Sequence, residues 1–251
     1  MEIDLLLQTQ CKRLRLPTFV RNYQKFAQEA AQTNQTYQQY LLALLEQEVL
    51  QREANQERRR LQAAKFPILR TLDTFDFSIA PSVNKRKILD LARGEYIAKC
   101  ENILFVGEIG TGKTHLATAL GVAACRQGKR VRFYTAAGLI SELTEARDEK
   151  RLLRLQAHLM KQDLIVLDEV GFVPFSAHGS QLLFQVCSER YQRGAMIFTT
   201  NLEFPRWAEV FGDPQLTGAL LDRITHQCHI LECHGESYRF KQSMKKRHAL
   251  S

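Results

Sequence analysis

From Met1 to Arg70 the sequence contains no glycine, and its only prolines there are Pro17 and Pro67. A stretch of that length without the residue that tight turns demand excludes a turn-rich β architecture and leaves helices. Cysteine is sparse as well. The six thiols (Cys11, Cys100, Cys125, Cys187, Cys228, Cys233) are scattered with no C-x-x-C pair, which excludes the common zinc and redox spacings. A chain of 251 residues buries enough core to need no disulfide staples. No run approaches the roughly 18 apolar residues of a membrane-spanning helix. The acidic start Met1-Glu2-Ile3-Asp4 lacks the positive charge of a signal peptide. The expectation is a cytoplasmic protein with reduced thiols and no membrane partner. Acidic residues are also outnumbered: 35 Lys and Arg against 27 Asp and Glu leave a net charge of +8, which points to an anionic partner.

In the glycine-free part, Ile3, Leu6, Leu7, Cys11 and Leu14 share one helical face, which stops at Leu16-Pro17. Phe19, Tyr23, Phe26 and Ala30 resume a stripe, and Tyr37, Tyr40, Leu41, Leu44, Leu45 and Val49 mark another. The last helix runs on to Lys65, before Pro67. These patterns predict a small helical domain over residues 1–70, serving a partner, DNA or self-assembly. A linker over 71–82 carries Phe75 and Phe77, whose rings need a surface to cover. From there on, short apolar runs alternate with helical stretches, which predicts an α/β fold with a five-stranded, mostly parallel sheet over 83–251. The strand runs are Asn102 to Val106, Val131 to Tyr134, Leu164 to Leu167, Met196 to Thr199 and Gln227 to Leu231.

The first strand leads into Gly107-Glu108-Ile109-Gly110-Thr111-Gly112-Lys113-Thr114, which with the following His115 are the expected nucleotide-binding residues, and then into a helix. Glycines in such a loop let successive N–H groups converge on phosphate oxygens, and the helix that follows adds its positive end. In this pattern Lys113 reaches the β- and γ-phosphates of ATP and the Thr114 hydroxyl ligates Mg²⁺. The third strand ends in Asp168-Glu169, at the carboxyl edge where ligands bind in open α/β sheets. Asp168 is placed to hold Mg²⁺ and Glu169 to activate the attacking water, so the expected activity is hydrolysis of ATP to ADP and phosphate. The fourth strand ends Thr199-Thr200-Asn201. Asn201 is either part of a turn or a hydrogen-bond donor to the γ-phosphate or water.

Arg223 and Arg239 are further candidates, because a guanidinium meets charge spread over phosphoryl oxygens; each is also open to being an ordinary surface charge. The cluster His226, Cys228, His229, Cys233 and His234 invites a zinc reading, but strand alternation sends its side chains to opposite faces. Two basic groups have both a solvated-face and a nucleic-acid reading: Arg58-Arg59-Arg60, and the interval carrying Lys150, Arg151 and Arg154. The tail Lys245-Lys246-Arg247 is a third.

The ordered set Gly107 to Thr114, Asp168-Glu169, Thr200-Asn201, Leu221-Asp222-Arg223 and Gly235-Glu236-Ser237-Tyr238-Arg239 resembles the IstB family of insertion-sequence helper ATPases. So do Leu14-Arg15-Leu16-Pro17, Ala64-Lys65-Phe66-Pro67, Phe75-Asp76-Phe77, Arg190-Tyr191 and Trp207. That family is related to DnaC-type helicase loaders. The resemblance implies an AAA+ ATPase of the initiator-like clade with a reduced C-terminal lid. Asn201 would then be the sensor-1 residue, Arg223 an arginine finger reaching a neighbouring subunit's ATP, and Arg239 the sensor-2 arginine. A helix around Gly138 to Gln156 would face DNA. The implied activity is ATP-dependent, largely sequence-independent assembly on duplex DNA, with recruitment and stimulation of a transposase. The alternatives are a loader gripping single-stranded DNA and a helicase, or a nucleotide-gated structural oligomer.

Overall fold

The glycine-free stretch is helical. In the computed structural model, which describes residues 2–235 and 237, it forms α1 (Glu2–Arg13), α2 (Pro17–Gln32) and α3 (Tyr37–Ala64). Pro17 sits in the first turn of α2, where a missing N–H leaves no bond unmade. Thr36 and Gln39 start α3 with a reciprocal capping box: the Thr36 N–H donates to Gln39 Oε1 at 2.8 Å and the Gln39 N–H to Thr36 Oγ1 at 3.3 Å. Glu48 of α3 is buried and accepts from the Thr18 N–H at 2.9 Å and from Arg52 Nε at 2.7 Å. Burial works to raise this carboxyl, but the bonds from Arg52 and Thr18 prevail and hold it below its ordinary value.

The chain forms two compact units, one up to Arg59 and one from Arg60 onward. In the first, Cys11, Tyr23, Ala30 and Leu44 are buried, whereas Ile3, Leu6, Leu14, Tyr37, Leu41, Leu45 and Val49 are exposed. Three helices cover only the faces they share, so the periodic stripes are part core and part open apolar surface. The second unit starts at Arg60 because the end of α3 is tied into it. Arg60 Nε donates to the Cys125 carbonyl at 2.8 Å, Arg132 Nη1 donates to the Ala63 carbonyl at 3.0 Å, and Ala64 is fully buried. Residues 71–82 are packed on this unit as well, with 3₁₀ turns at Leu72–Thr74 and Phe77–Ile79 and the rings of Phe75 and Phe77 edge to face at 4.8 Å.

The remaining elements follow in order: α4 (Lys85–Leu91), α5 (Glu95–Ala98), β1 (Asn102–Gly107), α6 (Lys113–Arg126), β2 (Val131–Thr135), α7 (Ala136–Asp148), α8 (Leu152–Met160), β3 (Leu164–Val170), α9 (Ala177–Arg190), β4 (Ala195–Thr200), α10 (Trp207–Phe211), α11 (Pro214–Thr225) and β5 (Cys228–Cys233). The strands form one sheet in the order β2-β3-β4-β1-β5, with every pairing parallel. Successive side chains feed opposite cores. Ile103, Phe105, Phe133 and Val166 pack with Leu116 and Leu120 of α6, while Leu104, Ile165, Leu167 and Phe198 pack with Leu139 and Leu143 of α7 and Val186 of α9. Parallel strands bring the chain leaving β1, β3 and β4 to one carboxyl edge.

The single helix expected around Gly138 to Gln156 is two. Lys150 takes a left-handed φ of 57°, and the Arg151 N–H folds back to the Ala146 carbonyl, which ends α7 before α8 begins. Buried Arg190 holds three backbone carbonyls: Nη1 donates to Leu159 at 2.9 Å and Gln162 at 3.1 Å, and Nη2 to Ala195 at 2.9 Å. Asn102 accepts from the Met196 N–H at 3.0 Å and donates to the Ile224 carbonyl at 2.9 Å, pinning the start of β4 and the end of α11 to β1. Arg239, the basic tail and any lid lie outside the described residues.

Candidate nucleotide site

The loop between β1 and α6 has the backbone a phosphate cradle needs. Gly107 has φ 148°, and a β-carbon there would meet the Cys233 carbonyl oxygen of β5 at 2.1 Å. Gly112 has φ 92°, and its absent β-carbon is replaced by the ring edge of Phe75, 2.6 Å from where that carbon would stand. Thr111 braces the turn by donating from Oγ1 to the Glu108 carbonyl at 2.8 Å. Lys113, at the first position of α6, is buried and donates from Nζ to the Gly107 and Glu108 carbonyls at 2.7 and 2.6 Å. Its ammonium therefore lies inside the loop. Glu108 and Ile109 at the loop's tip are exposed.

The carboxyl end of β3 faces this loop. Asp168 is buried, and its Oδ1 accepts from the Thr114 hydroxyl at 2.9 Å and from the Thr199 hydroxyl of β4 at 2.5 Å. Thr114 and Asp168 thus present hard oxygen donors side by side, a set that suits Mg²⁺. Glu169 is exposed, with a left-handed φ of 60°, and its N–H donates to Thr199 Oγ1 at 2.9 Å. Buried Cys233 lies under the same loop. Burial pushes its thiol up to about 11, against the opposing charge of Lys113.

Thr114 and Asp168 meet; Lys113 precedes Thr114 with its ammonium on the loop carbonyls, and Glu169 follows Asp168. Asn201 is half-buried just past β4, while Thr200 shapes that turn by accepting the Leu202 N–H at 3.0 Å. Arg223 lies elsewhere, on α11: its Nη1 donates to the Ala219 carbonyl at 2.8 Å and its guanidinium stacks over the Phe184 ring of α9 at 5.0 Å. Lys150, Arg151 and Arg154 are exposed around the α7–α8 break, with Arg151 paired to Glu149. Of the arginine triplet, Arg58 and Arg59 are exposed, whereas Arg60 is spent on the Cys125 carbonyl.

Neither the bonds of Thr199 nor the partners of His115, itself expected among the nucleotide-binding residues, had a marker specific enough to assign from sequence. Thr199 touches both carboxylate positions, yet a threonine at a strand end is commonplace. His115 Nε2 lies 3.0 Å from the Thr71 carbonyl oxygen and 3.2 Å from Thr74 Oγ1, with its ring edge-on to Phe75 at 5.1 Å. The segment after Pro67 is thereby strapped to the first turn of α6. Burial, seconded by Arg70, keeps the imidazole below its ordinary pKa, with the Thr71 bond opposing. Of the two aromatics expected to need a surface, Phe75 finds it on the phosphate loop at Gly112, and Phe77 packs against Phe75.

Comparison with known proteins gives a consistent answer. The family model described as IstB-like ATP binding protein matches residues 9–246. The chain is 36% identical over 232 residues to the ATP-binding protein of insertion sequence IS5376 from Geobacillus stearothermophilus, covering 92% of both chains. It is 35% identical over 244 residues to that of insertion sequence IS21 from Pseudomonas aeruginosa, covering 97% of this chain and 91% of the relative. In fold it is similar to AMPPCP-bound DnaA from Aquifex aeolicus, with TM-score 0.54 at 22% identity over 72% of this chain and 55% of that one. It is also similar to the DnaC helicase loader, with TM-score 0.53 at 22% identity over 70% and 99%. The sheet order and helical layers are those of an AAA+ P-loop fold, and with near full-length matches at this identity the chain belongs to the IstB-like ATP-binding proteins of insertion sequences.

Proposed function

We propose that this chain is an Mg²⁺-dependent ATPase that assembles on duplex DNA and delivers it to a partner transposase, with hydrolysis resetting the assembly. The observation that carries the reading is the Thr114–Asp168 bond that joins the loop holding Lys113 to the strand end carrying Glu169, at one sheet edge. Lys113 would exchange its two carbonyl acceptors for phosphate oxygens, and the loop's N–H groups would take the rest of the charge. Mg²⁺ held by Thr114 and Asp168 would neutralise charge that develops between the β- and γ-phosphates. Glu169, exposed and next in sequence, would take the proton from the water that attacks the γ-phosphorus, the bond to the bridging oxygen breaking to leave ADP. Asn201 would orient that water.

A shared site is supported by Arg223, whose partners among the described residues are a helix carbonyl and an aromatic face, so that it is available to a neighbouring subunit's ATP. Arg239 takes the sensor-2 role on resemblance alone. DNA contact is supported by exposed Lys150, Arg151 and Arg154 in a chain of net charge +8. The open apolar face of α1 and α3 supports docking of the transposase or a second copy by the helical unit. Insertion-sequence relatives favour this reading over that of a helicase loader, whose likeness is one of fold.

The test is ATP-dependent binding to long duplex DNA and to single-stranded DNA of equal length at physiological salt, with Lys113→Ala as control. A duplex preference that needs ATP supports the transposition helper. A single-strand preference puts the loader in its place.

A further inference from the structure

The two carboxylates of β3 do not sit in a regular ladder. Leu167 pairs with Phe198 and Val170 with Thr200, so Asp168 and Glu169 together oppose the single residue Thr199. That is a β-bulge, a device that re-aims side chains beside active sites. It buries Asp168, exposes Glu169, and forces Glu169 into a left-handed φ of 60° without the help of a glycine. It also takes the Glu169 N–H out of the ladder.

One side chain answers for all of this. Thr199 is 1% exposed, and its hydroxyl accepts the Glu169 N–H at 2.9 Å and donates its own proton to Asp168 Oδ1 at 2.5 Å. The chain of bonds has a direction, from Glu169 N–H through Thr199 O–H to the Asp168 carboxylate, and each bond polarises the next. Thr114 donates to the same Asp168 oxygen, and as a metal ligand its hydroxyl would turn toward Mg²⁺. Thr199 would then remain as the hydroxyl on β4 that fixes the carboxylate.

We propose that Thr199 is a positioning residue for ATP hydrolysis, its hydroxyl setting both the orientation of the metal-binding carboxylate Asp168 and the backbone that carries the base Glu169. The inference rests on the hydrolysis reading above. Valine has the shape of threonine and the same fitness for a strand, but can make neither bond; serine keeps both.

The experiment compares the full-length wild type, Thr199→Val, Thr199→Ser and Glu169→Gln for ATP turnover, for affinity of a fluorescent ATP analogue, and for the Mg²⁺ midpoint of that binding. Thr199→Val is expected to lose about tenfold or more in kcat with analogue affinity at saturating Mg²⁺ within about threefold, and to shift the Mg²⁺ midpoint upward about threefold or more. Thr199→Ser is expected to recover both the rate and the midpoint. Thermal unfolding checks that the variants fold, and Thr199→Ala replaces the valine variant if that one does not. Wild-type turnover and midpoint in Thr199→Val, or a serine variant as impaired as the valine one, would overturn the positioning role. Failure of the hydrolysis reading looks different: the wild type then turns over no faster than Glu169→Gln, and the part played by Thr199 in ATP hydrolysis falls with it.

Discussion

Lys113 Nζ donates to the carbonyl oxygens of Gly107 and Glu108, at 2.7 and 2.6 Å, so the phosphate-loop lysine is held by the loop it belongs to. A buried ammonium held on two loop carbonyls has its position fixed within the loop, which suits it to an incoming phosphate. Replacing Lys113 by alanine is expected to weaken ATP binding by about 100-fold or more, since charge-assisted bonds to phosphate are lost. Titration with a fluorescent ATP analogue measures this. Unchanged affinity would refute the assignment of the loop.

Arg190 has a structural task. Its guanidinium joins the end of α8, the turn before β3 and the start of β4 through three carbonyls, and burial pushes its pKa down to about 10. Arg190→Met keeps much of the volume and abandons those carbonyls. A loss of about 3 kcal/mol in unfolding free energy is expected, read by denaturant melts, with analogue affinity retained in the protein that stays folded. A variant as stable as the wild type would show that water satisfies the carbonyls equally well.

Much of this was legible in the residues, and the exceptions have physical causes. Four of the five strands announced themselves as apolar runs and the fifth, Gln227 to Leu231, as a less apolar one, and the glycines before Lys113 marked a turn, because burial and positive φ both leave traces in composition. The bulge at Asp168-Glu169 left none: its unusual backbone falls on a glutamate, and its hydrogen bond is supplied by a threonine across the sheet. The break between α7 and α8 falls on Lys150, again with no glycine to mark it. The stripe through Tyr37, Leu41, Leu45 and Val49 was correctly helical yet exposed, since periodicity reports an apolar face and says nothing of what covers it.

Glu48 should make the helical unit sensitive to acid. Its carboxyl is held below the ordinary glutamate range, so the unfolded chain takes up the proton first as pH falls. The stabilisation is full above the unfolded value and disappears as pH drops through the folded one. Glu48→Gln is expected to cost about 1–2 kcal/mol at neutral pH, with the difference from wild type shrinking below pH ~4. Thermal melts followed by helical circular dichroism at several pH values check it. A difference that does not change with pH would mean that the carboxylate charge contributes nothing.

The DNA-binding reading makes a prediction about salt that separates electrostatic contact from mere surface charge. Lys150 and Arg154 are exposed, and Arg151 beside them shares its charge with Glu149. Each phosphate that such a residue neutralises releases counterions and contributes about 0.9 to the slope of log affinity against log salt. If all three meet the backbone, the Lys150→Ala, Arg151→Ala, Arg154→Ala triple variant is expected to flatten that slope by about 2 to 3 with ATP-analogue affinity unchanged. A flattening nearer 2 is expected if Arg151 keeps Glu149 as its partner when DNA binds. An unaltered slope would move the contact to other residues, with Arg58 and Arg59 next to test, because Arg60 is already committed to the Cys125 carbonyl.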